Sequence, residues 1–271
     1  GRRLDAKGIA ASVRRGIELT RAGGVVAVGD IAGAPAGIPN LTPYQALVES
    51  NLGGCSYLEF FGIGTTIDKC RQAVSQFMSE AVGCRATLRL GLQPHAPNTV
   101  DIRLYQWAAD LAQSRSLPIS THLSETPEEA EFIAKGTGPQ RTFLERVGIW
   151  HDSILEHIGH GRHPVSHLES VLATAPFLVA HVNNADDAAI EALAKTRTSV
   201  AYCPRASEYF SVARHFGPHR YRDMLEAGVN VALGTDSIIN LDTPDRISPL
   251  DDARLLFRRD GTDPAVLLRM L

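Results

Sequence analysis

Seven short runs of apolar and β-branched residues recur along the chain, and helical stretches separate most of them. The runs are Val25–Ile31, Tyr57–Gly64, Ala86–Pro97, Leu117–Glu125, Phe177–Asn184, Ser199–Arg205 and Asn230–Ser237. Ala11–Arg21, Lys69–Ala81, Thr99–Arg115, Asp186–Lys195 and Tyr221–Ala227 read as amphipathic helices. Asp186 stands where a helix N-cap is expected, and Gly228 where a helix stops. Strands that alternate with helices pair in parallel, with the helices covering the sheet. The expected class is therefore α/β. A length of 271 residues suits one barrel domain over 1–271, since such barrels take about 250 residues.

Two parallel architectures compete, and the polar residues discriminate between them. His95 closes the third run, His122 and Glu125 the fourth, His181 the fifth and Asp236 the seventh. A doubly wound sheet gathers its functional groups at one switch point. A barrel spreads them over the C-terminal ends of many strands, which form one face. The pattern predicts a (β/α)8 TIM-type barrel, of which seven strands are visible. Ala32–Pro43 reads as a loop of that barrel, and Thr126–Pro176, the longest connection, as two helices plus a His-rich turn.

Composition removes several other classes. Hydrophobic residues make up 44% and charged residues 21%, enough apolar material for a large core. A net charge of −3 gives no basic face for nucleic acid. No run approaches the roughly 18–20 apolar residues of a membrane span. Cys55, Cys70, Cys84 and Cys203 form no CxxC pair and read as reduced thiols of a cytoplasmic protein. The expected partner is a small-molecule substrate, with a homodimer left open.

Histidines and carboxylates converging on one face suit a divalent cation, with zinc first and iron or manganese as alternatives. Such an ion makes hydroxide available at neutral pH, and a neighbouring carboxylate can carry the proton to a leaving group.

The segments THLSET (Thr121–Thr126), LVAHVNN (Leu178–Asn184), VAYCPRAS (Val200–Ser207) and VALGTDS (Val231–Ser237) resemble, in order and spacing, motifs of the amidohydrolase superfamily. The resemblance runs from GVVAVGD to the last residue. It points to the aminohydrolase branch, which holds S-adenosylhomocysteine, adenosine and aminodeoxyfutalosine deaminases, guanine deaminase and the triazine hydrolases. It implies His122 as a metal ligand and Glu125 as proton shuttle. His181 would orient the attacking water and lie at the metal. Asp236 would bind the metal and accept the water proton. His95 would meet the substrate, and Arg205 of CPRAS is a further candidate contact, a structural salt bridge being its other reading. The implied activity is hydrolytic deamination of an aminopurine nucleoside or related heterocycle. Triazine dechlorination and a catalytically silent barrel are the alternatives.

The same resemblance implies a His-x-His strand at the start of the barrel, yet no histidine precedes His95. The chain is accordingly expected to be a barrel fragment lacking its first strand and a small flanking β domain. It also lacks a lysine in Ala86–Pro97, which favours a site with one metal over one with two. Glu59 and Asp30, each within an early run, read as hydrogen-bonded core groups. His157, His160, His163 and His167 read as loop packing, and Cys203 as a buried thiol.

Overall fold

The computed structural model describes residues 5–34, 39–80 and 88–271. All seven runs are strands: β1 (Ala27–Ala32), β2 (Gly53–Phe60), β3 (Leu88–Pro94), β4 (Ile119–Leu123), β5 (Phe177–His181), β6 (Ser199–Tyr202) and β7 (Val231–Leu233). They form one parallel sheet in sequential order, β1 to β7. A doubly wound sheet reverses its order at the switch point, and no reversal occurs here. The helices before β4 are α1 (Ala6–Ala22), α2 (Thr42–Glu49), α3 (Ile67–Glu80) and α4 (Ile102–Arg115). Between β4 and β6 lie α5 (Pro127–Lys135), α6 (Pro139–Arg146), α7 (Pro164–Leu172) and α8 (Asp187–Lys195). The rest are α9 (Pro204–Tyr209), α10 (Ala213–Phe216), α11 (Tyr221–Glu226), α12 (Pro249–Asp260) and α13 (Pro264–Arg269).

The sheet curls, because the segment entering β1 meets the segment leaving β7. The Ser248 hydroxyl donates to the Gly23 carbonyl at 2.8 Å, and the Ile247 N–H donates to the Leu19 carbonyl at 3.0 Å. On β7 itself, the Leu233 N–H donates to the Met270 carbonyl at 2.7 Å. Among the described residues β1 and β7 do not pair with each other.

Alternation along the strands sorts the side chains. In β2, Leu58 and Phe60 join the main core with Leu92, Leu104, Tyr105 and Val179. Tyr57 and Glu59 point the other way, and Glu59 lies in register with Gln93 of β3. The second run extends further back than Tyr57, to Gly53, because of a close approach. A Cβ on Gly54 would lie 2.0 Å from the Val28 carbonyl oxygen, so only glycine lets β1 come this near.

The long connection holds three helices where two were expected. Its Phe132, Ile133, Leu144, Ile154 and Ile158 build a second small core with Ile63 of the segment after β2. The Gly/Pro-rich stretch expected to be a loop is one at 33–34 and 39–41, ending in α2; residues 35–38 lie outside the described residues, as do 86–87 of the third run. Asp186 caps α8 as expected, accepting the Ala189 N–H at 2.8 Å. No helix among the described residues is long and apolar enough to cross a membrane.

Candidate active site

The ends of β2 to β5 bring one carboxylate and three imidazoles together. Glu59, His95 and His122 each offer a donor atom, and these atoms lie within 4.8 Å of one another. The rings of His95 and His122 are 5.0 Å apart, and those of His122 and His181 stack at 5.5 Å.

Hydrogen bonds fix which nitrogen of each ring faces the cluster. The Thr99 hydroxyl donates to the Ala96 carbonyl at 3.0 Å, so it accepts from His95 Nδ1 at 2.7 Å. The lone pair of His95 is then on Nε2. His122 Nδ1 lies 3.0 Å from the His95 carbonyl oxygen, to which only an N–H can donate. Its Nε2 is likewise left with a lone pair, the arrangement that outer hydrogen bonds impose on metal-binding histidines. Burial holds His95 down to about 3, and it also holds His122 and His181 below the usual imidazole range. Burial raises Glu59, and the nearby His122 opposes that rise.

Glu125 and His181 stand beside this group. His181 Nε2 is 3.5 Å from Glu125 Oε1. Burial pushes the Glu125 carboxyl up, with His122 opposing and Asp236 adding to the rise. Both residues line a cavity of about 260 Å³, together with Asn183, Ser207, Phe210 and His215. The Glu125 carbonyl accepts from the Asn183 amide at 3.1 Å, and the Ser207 hydroxyl donates to the other end of that amide at 3.1 Å. His219, stacked on Tyr202 at 3.7 Å, lies 2.8 Å through Nε2 from the His181 carbonyl.

The backbone is unusual at these strand ends. Ser124, His181, Val182 and Asp236 have φ of 55°, 74°, 52° and 55°. Non-glycine residues rarely take the left-handed region, and they gather at functional sites when they do.

The other sequence candidates are placed as follows. Asp236 is exposed at the end of β7, its carboxylate accepting the Ser237 N–H at 2.6 Å, and its charge acts on Glu125 and His181. It is not among the three grouped donors. Arg205 is 6% exposed, and its guanidinium donates to Asp252, Asp242, Thr243 and the Ser248 carbonyl. Those contacts make the buried salt bridge that was its second reading. Asp30 accepts from the Ser56 hydroxyl at 3.1 Å. Cys203 is buried, and burial pushes its thiol well above the ordinary range. His163 caps α7 and His167 is buried within it, neither in a donor group among the described residues. Glu59 is the residue that sequence reasoning placed in the core. Its one signal was a carboxylate near the end of an apolar run, the same signal that marked His95.

The model of the amidohydrolase family matches residues 8–271. The aminodeoxyfutalosine deaminase of Deinococcus radiodurans is 33% identical over 280 residues, which cover 99% of this chain and 62% of the relative. The crystal structure of aminofutalosine deaminase from Helicobacter pylori matches with a TM-score of 0.72 at 22% identity, covering 96% of this chain and 61% of that one. A structure of an adenosine deaminase from Xanthomonas campestris with bound zinc gives 0.68 at 18% identity, over 98% and 56% of the two chains. At such identities the structural likeness speaks for the fold. The chain spans 62% of the length of the Deinococcus relative and no more of either solved chain.

Proposed function

The chain belongs to the amidohydrolase family, and from that premise we propose that it carries the acid–base machinery of a metal-dependent deaminase acting on an adenosine-like nucleoside. The observation that carries this reading is the Glu125–His181 pair set against the Glu59–His95–His122 donor group at one end of a parallel sheet. That β1 and β7 do not pair with each other among the described residues supports a finer reading, in which the seven strands are part of an eight-stranded barrel.

The donors fit a divalent ion. Two imidazoles that keep a lone pair, beside a buried carboxylate that burial alone would disfavour, are a set a borderline-soft cation compensates. Glu59, His95 and His122 would hold it, with His181 and Asp236 as the remaining candidates. When bound, the ion supplies Lewis acidity and lowers the pKa of a water to about 7. Zinc in the Xanthomonas structure makes zinc the first ion to try.

The chain's own residues do the rest. His181 orients the attacking water through Nε2, the atom that faces Glu125. Asp236 accepts the proton the water loses. Glu125, whose carboxyl burial favours in its protonated form, gives a proton to the ring nitrogen next to the amine-bearing carbon. Water adds to that carbon, Asp236 passes its proton to the exocyclic amine, the C–N bond breaks and ammonia leaves, and the proton of the new hydroxyl returns to Glu125. The cavity of about 260 Å³ admits the base of such a nucleoside.

The test is ammonia release by the zinc-loaded protein from adenosine, S-adenosylhomocysteine and aminodeoxyfutalosine. Glu125→Gln is expected to lower kcat by roughly 10²–10⁴-fold, the range for loss of a general acid–base group. A chelator should abolish turnover, and added zinc should restore it. Chloride from a chlorotriazine without ammonia from any nucleoside would replace deamination with dechlorination. Silence toward all of them, with no metal retained, would leave a non-catalytic role.

A further inference from the structure

The turn that carries Glu125 is held by a second carboxylate that the mechanism does not use. Glu129 lies in the first turn of α5 and is 2% exposed. Its Oε1 accepts the Ser124 N–H at 2.7 Å, and its Oε2 accepts the Glu125 N–H at 2.7 Å. Thr126 caps the same helix, accepting the Glu129 N–H at 3.2 Å. A Thr-x-x-Glu capping box asks its glutamate only to reach the N–H of the threonine. Glu129 reaches further, to the two peptides that lead from His122 into Glu125.

Those peptides need holding. Ser124 sits in the left-handed region at φ 55°, which turns the chain sharply between strand and helix. The turn is tied to β5 on its other side: the Ser124 hydroxyl donates to the Asn184 carbonyl at 2.6 Å, and the Asn183 amide holds the Glu125 carbonyl. The N–H of Glu125 is thus fixed by Glu129 and its C=O by Asn183. Burial pushes the Glu129 carboxyl up to about 7, and the Glu125 and Ser124 N–H groups oppose that rise; in the ionised form both bonds are charge-assisted, stronger than neutral ones, and they constrain direction as well.

We propose that Glu129 is a positioning residue, which sets the peptide of Glu125 and through it the distance from the Glu125 carboxyl to His181 and the substrate. The proposal rests on the reading of Glu125 as the proton-transferring group. Glutamine at 129 keeps the shape but can accept only one of the two N–H groups, since its own NH₂ would face the other.

Two measurements decide it on the purified protein. The first is hydrogen–deuterium exchange, which needs no activity. Amides of the segment spanning Ser124 and Glu125 should be protected in the wild type and exchange at least about tenfold faster in Glu129→Gln, as loss of about 1.4 kcal/mol of local stability would give. Unchanged exchange there overturns the clamp. The second is a double-mutant cycle. Glu129→Gln should lower kcat by about tenfold or more with KM little changed, and should cost nothing further in a Glu125→Gln background. An additive loss, or a loss carried in KM, means a structural role and overturns the proposal. If Glu129→Gln fails to fold, Glu129→Asp takes its place. It keeps both acceptors on a shorter arm, and an exchange rate and kcat identical to wild type would overturn the clamp. A wild type that releases no ammonia while the exchange result holds removes the deaminase reading and leaves the clamp standing.

Discussion

His167 shows what burial does to a single titratable side chain. It is 5% exposed, its Nδ1 has no hydrogen-bond partner among the described residues, and burial pushes it down to about 4. In the unfolded chain it titrates near 6.5. Between those values the unfolded chain holds the extra proton, so this residue's share of stability is complete above pH ~6.5 and is lost as pH falls toward about 4. Thermal unfolding across that window should show the midpoint falling with acid, and His167→Gln should flatten the slope; an unflattened slope would move the effect to another group. Residues also show where sequence reading stops. His95, His122, Glu125 and His181 were legible because each is polar where an apolar run ends. The partners of Arg205 were not, because Asp242 and Asp252 follow it by 37 and 47 positions and only the fold brings them near. Glu59 is buried and accepts the Ala34 N–H at 3.2 Å, as a hydrogen-bonded core group does, and its place beside His95 and His122 was hidden for a related reason, since only the fold brings β2 and β4 to one cluster.

At the scale of elements, apolar and β-branched runs announced all seven strands, and Asp186 announced the start of α8. Asp186→Ala should destabilise the protein by about 1 kcal/mol, the usual value of an N-cap side chain. Chemical denaturation at neutral pH checks it, and a loss below about 0.3 kcal/mol would mean that packing alone holds the start of α8. The long connection was under-read. Pro127, Pro139 and Pro164 each open a helix there, at the position where the missing N–H is harmless, so the signal for a third helix was present in the chain. The early start of β2 was hidden for the opposite reason. A glycine pair looks like a turn until a neighbouring strand is known to lie against it.

The curl of the whole sheet was legible only through the polar residues at many strand ends that argued for a barrel, because the contacts that report it join residues 225 apart in sequence. Gly23 sits at that junction, where a Cβ would come within 2.0 Å of the Ile247 carbonyl oxygen. Gly23→Ala should therefore cost about 1–3 kcal/mol, as overpacking does, and shift the denaturation midpoint without changing secondary structure. A neutral result would show that the two ends of the sheet can separate freely. The left-handed residues at the ends of β4, β5 and β7 carry a consequence of another kind. Val182 is β-branched and at φ 52°, yet it is fully buried in the main core, and the Ser124 hydroxyl donates to the Asn184 carbonyl, so glycine at either position would relieve backbone strain while removing the packing or the bond that holds the residue there. The surroundings of these strand ends thus impose a conformation their residues would not adopt alone, and hardier variants of this protein are to be sought away from them.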